Sequence, residues 1–351
     1  MSDGRKPVGR DAQHESNEPR FETSGGSTTT RRRVLGGIAA GVALGSVVGS
    51  VSAEDNIVTG PVAEFGTETA SQPQRAFWHE VEFEEEYDDP VVVMKPLTHN
   101  GPHECHIRLR NVASTGFEFK IEEWLYRPGR HANEETMHWV VMERGVHTLP
   151  DGSRIVAGHM DGIDHEWQTA YFGHAFDETP VVLAQPQTFR SEFPIVSRQR
   201  NLGTASVEWR VQRELAEREE HPAERIGAIV MEPGTASLYG TSFEMGTVDG
   251  VDHTRTRVGF DGTYQEPRFM ADMQTFNDDQ PAGLRYSDLL SSSVRVFVEQ
   301  ERSVEGRPVD DPETVGYMTV EGATSGSAAL SRSEAADVTS RYGSRGISTG
   351  E

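Results

Sequence analysis

The chain has 351 residues, of which 35% are apolar and 25% charged, and carries 56 acidic against 33 basic side chains for a formal charge of −23. Those fractions are ordinary for a globular protein, so the sign of the charge is the informative quantity. Such a surface repels nucleic acid and anionic lipid, because phosphate binding needs clustered Lys and Arg, and the only lysines are Lys6, Lys95 and Lys120.

Acidic excess with almost no lysine points to salt adaptation, in which carboxylates hold water and cations and concentrated salt screens their repulsion. Cys105 stands alone, so no intrachain disulfide forms and the fold must hold through packing.

Residues 1 to 30 are polar, rich in Gly, Ser and Thr, and read as a disordered leader. Then come Arg31, Arg32 and Arg33, an apolar run from Val34 to Val51, and the small pair Ser52 and Ala53. This is the text of an export signal, and its arginines resemble the twin-arginine class that carries folded proteins across a membrane. An uncleaved anchor is the alternative, since the run is just long enough to span a bilayer. Its Gly and Ala content and its ending favour removal after Ala53.

From there the chain repeats itself about every ninety residues. Segments beginning at Pro90, Pro180 and Pro267 share one frame, with Thr98, Thr188 and Thr275 and then Arg108, Arg198 and Arg285 at equal offsets. Each copy closes on two glutamates that bracket an apolar run: Glu135 and Glu143, Glu224 and Glu232, Glu313 and Glu321. Upstream the copies align on Gly66, Gly158 and Gly246 and on Phe83, Phe172 and Phe260. Self-similarity of this period indicates tandem domains, each large enough for a small core. The boundaries fall near 57–148, 149–237 and 238–322, joined by short connectors such as Val146 to Ser153. The tail, 323–351, is small and polar and reads as disordered.

Within a copy the apolar runs are short, alternate in polarity and are broken by turn residues, the pattern of half-buried antiparallel strands. About six strands in ninety residues indicate a β-sandwich. The expected class is all-β, three tandem six-stranded antiparallel sandwiches.

The first copy carries GTETASQPQRAFWHEVEFEEEYDDPVVVM, then VASTGFEFKIEEW, then TMHWVVME. It resembles the H-type lectin domain of snail agglutinins and of the C-terminal part of discoidins. The resemblance implies a six-stranded sandwich that assembles as a trimer and binds sugar in clefts between protomers, so three copies could close as an intrachain pseudo-trimer. It places the family's aromatic platform on Trp124, and sugar hydroxyls stacked there need charged partners of the kind Glu104, Glu123 and Arg108 supply nearby. The other copies have Glu214 and Glu301 at the Trp position, and Glu104 stands where the family has arginine.

The recurring glutamates read as interstrand charge pairs, since a catalytic acid and base need unequal, tuned environments at one site. No nucleophile elbow, phosphate loop or zinc-protease text is present. His99, His103, Cys105 and His106 are of metal-ligating type but occur in one copy, and a polar loop is the preferred reading. DGIDH from Asp161 and DGVDH from Asp249 carry oxygen ligands for calcium but are also favoured turn text. Trp78, Trp139, Trp167 and Trp209 lie on strand text and read as core.

Together these features describe an exported or cell-surface, salt-adapted, non-enzymatic protein that needs no cofactor and binds a glycan or a cell-surface partner. The other reading is a structural surface protein whose repeats only assemble with one another, and an extracellular polymer hydrolase fits less well. Residues 1–53 hold seven basic and five acidic side chains, so the chain after Ala53 carries 26 minus 51, a charge of −25 that repels itself unless screened, and melting temperature should climb steeply from low to molar KCl. Melts that ignore salt would remove the halophilic reading.

Overall fold

The structure is a computed structural model that describes residues 57–58, 61–217, 220–238, 240–304, 311–322 and 330–333, with 57–58 and 330–333 as backbone alone. The leader and export signal lie outside the described residues. Among those described there is no helix, and the protein is all-β.

Each unit supplies six strands. In the first they are Ala63–Ala70, His79–Glu82, Pro90–Thr98, Cys105–Ala113, Gly116–Glu123 and Glu135–Glu143. The second has Arg154–Ile163, Gln168–Tyr171, Val181–Pro186, Ile195–Arg200, Ser206–Arg213 and Glu224–Met231. The third has Thr241–Val251, Thr256–Gly259, Pro267–Met273, Ala282–Leu290, Ser293–Gln300 and Glu313–Glu321. In every unit the sixth strand pairs with the first and third, and the fifth with the second and fourth. The two three-stranded sheets face each other over an apolar cluster of their own.

The runs VVVM and VVLA are not half-buried. Val92 and Met94 point into the first sandwich, while Val91 and Val93 point the other way, into a second cluster shared by all three units. Val182 and Ala184 against Val181 and Leu183 repeat the arrangement in the second unit. Period-two alternation therefore feeds two cores, and both faces of the sheet are dry. The shared core takes Val62, Phe65, Val91, Val93, Val140 and Met142 from the first unit. At about 1.5–3 kcal/mol for each large apolar side chain, re-exposing them would cost on the order of 10 kcal/mol, comparable to the whole stability of a small domain. The units are thus welded, not strung.

The Gly66 that marks the repeat has its reason here: a Cβ on it would sit 2.1 Å from the Trp139 ring packed over it. The connector from Val146 to Ser153 is partly strand, because Gly145–Thr148 pairs with Arg154–Ile163. Gly234–Leu238 does the same with Thr241–Val251. Of the tail, Leu330–Ser333 pairs with Gly145–Thr148 and with Ile57–Val58, so this part is strand and not disordered text.

The repeated Thr, Arg and Glu meet at the boundaries between units. Arg108 Nη2 of the first unit donates to Glu224 of the second at 3.2 Å. Arg198 of the second reaches Glu313 of the third at 2.7 Å, and Arg285 of the third reaches Glu135 of the first at 2.9 Å. The three pairs close a ring, and all six side chains are at most 1% exposed. The carboxylates are aimed by their own units. Glu135 accepts from Thr98 Oγ1 at 2.5 Å and from the backbone N–H of Asn100 and Gly101, and Glu224 and Glu313 are held likewise by Thr188 and Thr275. The interstrand charge pairing expected of the first glutamates is made across units. The second glutamates accept backbone amides of the turn before each proline strand, as Glu143 does from Asp88 and Asp89. A parallel pairing of Arg285 with Leu97 and Tyr286 with Thr98 further stitches the third unit to the first.

Replacing Arg198 with Met would strand the Glu313 carboxylate in the interior, and urea unfolding in molar KCl should show a loss of about 3–5 kcal/mol. Adding Glu313→Gln should restore part of it. An Arg198→Met protein as stable as its parent would show that the ring does not matter to the assembly.

His131 lies between Glu135 (2.8 Å) and Glu123 (3.3 Å). Burial pushes its imidazole down, but hydrogen bonds to Cys105, Glu123 and Glu135 prevail and raise it from 6.5 to about 11. A folded-state value above the unfolded one means stability is fully present below about pH 6.5 and drains away as pH rises towards 11. The melting temperature should therefore fall between pH 6.5 and 9, and His131→Gln should be less stable at neutral pH and flatter across that range. A parent whose stability is level over this range would contradict the assignment.

Candidate functional site

Trp124 directly follows the fifth strand of the first unit and is 2% exposed, its ring 4.8 Å from that of His106. Glu104 is 3% exposed and bound by Arg127 at 2.5 Å, with Arg302 of the third unit at 3.5 Å. Glu123 is 1% exposed and takes His103, His131 and the Gly129 N–H. Burial pushes its carboxyl up, and the two histidines and the amide outweigh that and hold it low. Arg108 belongs to the ring. Its neighbour Glu122 is held down at about 2, because Lys120, His106 and Arg108 together outweigh burial.

These four residues lie in one region, but the two carboxylates and Arg108 Nη2 are held by partners within the protein, and Arg108 Nη1 is buried without a hydrogen-bond partner. The positions matching Trp124 explain why the other copies lost it. Glu214 accepts the Leu125 N–H of the first unit at 2.5 Å, and Glu301 accepts the Leu215 N–H of the second at 3.3 Å. Tyr126 Oη closes this second cycle by accepting the Arg302 N–H at 2.9 Å.

The metal-type residues part company. His103 goes to Glu123, His106 to Glu122, Cys105 accepts from Arg285, and His99 contacts Arg255. Among the described residues no group of three or more His, Cys, Asp or Glu is placed to hold a metal. Asp161 pairs with Arg225, and Asp249 accepts from Thr314.

Open space lies elsewhere, at the boundaries between units. The cleft between the first and second units has a volume of about 410 Å³ and is lined by Asp89, Arg110, Asn111, Thr188, Phe189, Arg190 and Arg225, among others. Its counterpart between the second and third, about 820 Å³, is lined by Glu178, Arg200, Asn201, Thr275, Phe276, Asn277 and Thr314. Arg110 and Arg200, Asn111 and Asn201, Thr188 and Thr275, and Phe189 and Phe276 are equivalent in the repeat. Both asparagines adopt a left-handed backbone (φ 51° and 50°), which an Asn side chain tolerates. Trp78 and Trp167 stand behind these walls and not in the cores: Trp78 meets Phe189 edge-on at 5.0 Å, and Trp167 meets Phe276 at 4.9 Å. The guanidinium of Arg110 lies 4.1 Å over the Trp78 ring, and that of Arg200 lies 4.2 Å over Trp167. The sequence signal for these sites is the text R-x-R-N, present at Arg108 to Asn111 and Arg198 to Asn201, while the third copy reads Arg285 to Asp288.

A narrow cavity of about 50 Å³ lies where the three units meet, and equivalent positions line it unequally: Lys95, Gln185 and Asp272. Lys95 and Asp272 pair at 2.7 Å, and Gln185 bridges the Met94 N–H and the Ile107 carbonyl.

No protein-family profile and no solved structure matches the chain. It is similar to halomucin of Haloquadratum walsbyi, with 32% identity over 243 residues. The match covers 66% of this chain and 3% of halomucin.

Proposed function

We propose that the chain is an exported, non-enzymatic protein of a salt-adapted cell surface whose three lectin-like sandwiches bind glycan at the boundaries between units. The observation that carries this reading is the pair of equivalent open clefts, each with a half-exposed phenylalanine, an arginine stacked on tryptophan, an asparagine and a threonine. Sugars are held by this mixture of apolar face and hydrogen-bonding groups. The halomucin similarity and the acidic composition support a surface location in high salt. The text of residues 31–53 supports export by a twin-arginine-type route with cleavage after Ala53. The recurring carboxylates are spent on arginines and backbone amides, which supports a binding role and not hydrolysis.

A second reading is a structural surface protein that only self-assembles. It draws on the burial of Trp124, Arg108, Glu104 and Glu123, the residues expected from the sequence to hold sugar. The exported form, whose intact mass should begin at Glu54, would be applied to a glycan array in molar KCl. Binding that is lost on Asn111→Ala with Asn201→Ala, in protein that melts like its parent, is the expected result. A folded protein that binds no glycan would leave the self-assembly reading.

A further inference from the structure

The two clefts share one scaffold but differ in charge. The wall between the first and second units carries Arg110, Arg190 and Arg225 against Asp89. The wall between the second and third carries Arg200 against Glu178. The change comes from two positions of the repeat, where Arg190 and Arg225 are replaced by Asn277 and Thr314. Building on the glycan reading, we propose that the first cleft takes an acidic sugar, its charge a carboxylate or a sulfate ester, and that the second takes a neutral one.

The guanidiniums of the first cleft are fixed before any ligand arrives. Arg110 rests on Trp78 and donates through Nε and Nη2 to Glu118 (2.6 and 2.5 Å). Arg225 grips Asp161 through Nε and Nη2 at 2.8 and 2.9 Å. Each keeps its Nη1 donors for another oxygen. Asp89 is occupied by Arg144 at 3.1 Å and faces His159 at 3.3 Å. Arg190 is exposed, forms no salt bridge among the described residues though its charge helps hold the Asp161 carboxyl low, and is anchored by its backbone N–H on Glu224 at 3.0 Å. It is the surplus cation. A planar fork of donors matches carboxylate or sulfate oxygens, and preorganised forks lose less entropy on binding.

The overall charge of −23 does not prevent this. In molar salt the screening length is about 3 Å, so distant carboxylates are silent and only groups in contact with the ligand count. Discrimination should then rest on the wall of the cleft and survive high salt.

The test is calorimetry on the full exported chain in molar KCl with two matched pairs of oligosaccharides. One is trigalacturonate against its carboxyl-reduced form, the other a sulfated galactotriose against the unsulfated sugar. At least one acidic member should bind about tenfold more tightly than its partner, with one site per chain, as expected for gaining one charged hydrogen-bonded contact. Arg190→Asn, the residue that the second cleft carries on the same backbone, should abolish that preference without lowering the melting temperature. Asn277→Arg with Thr314→Arg should raise the stoichiometry of the acidic ligand to two. Acidic and neutral members binding alike, with Arg190→Asn silent, would overturn this inference and leave the glycan reading intact. If none of the four sugars binds to folded protein that engages other glycans on the array, this assignment falls alone. If the array is blank as well, both fall.

Discussion

Three buried guanidiniums, each reaching out of its own unit into the next, set the terms for the rest of the structure. An arginine taken out of water must meet a carboxylate of good geometry, or the fold forfeits several kcal/mol. Here the carboxylate is aimed by a threonine and one or two backbone amides at the start of a loop, so its position is fixed to the turn that follows the proline strand. That explains why Pro, Thr, Arg and Glu keep one frame through copies whose other residues have diverged. The attraction between units comes chiefly from the shared apolar core. The ion pairs contribute directional matching, which greasy contacts lack.

The inner sheets are dry on both faces, and this shapes how the unit should be regarded. A sandwich of this kind has its own interior, yet the outside of its inner sheet is as apolar as the inside. It resembles half of an interface as much as a domain. The point where the units meet shows the same dependence: Lys95, Gln185 and Asp272 occupy one position of the repeat and satisfy one another or the neighbouring backbone. Three lysines or three aspartates there would not, since like charges buried together repel.

Much of this architecture was legible in the sequence. Strand alternation, turn residues and the ungapped frame identify an all-β chain of repeated six-stranded units, because periodicity records which side chains face a core. It does not record which core. VVVM looks like an ordinary half-buried strand until a second apolar cluster is found behind it. The glutamates announce themselves as structural, but one copy of a sequence cannot say that Arg108 answers Glu224 across 116 residues. Trp78 and Trp167 read as core because they border strand text, whereas they stand just before the strands that open at His79 and Gln168 and their faces are taken by arginines at a boundary. The resemblance to lectins marks Trp124, but the local text does not say that its ring packs on His106 and is left 2% exposed. The R-x-R-N text was the available sign of the clefts, and it stands out only when the copies are compared position by position.

The pairing of Lys95 with Asp272 also bears on how such an assembly behaves when diluted. A trimer of separate sandwiches would dissociate once its concentration fell below its affinity. Three sandwiches on one chain face each other at an effective concentration near millimolar whatever the volume outside. The covalent link also fixes which unit stands beside which, so positions that symmetry would force to be identical are free to specialise, and a cation can face an anion at the very centre.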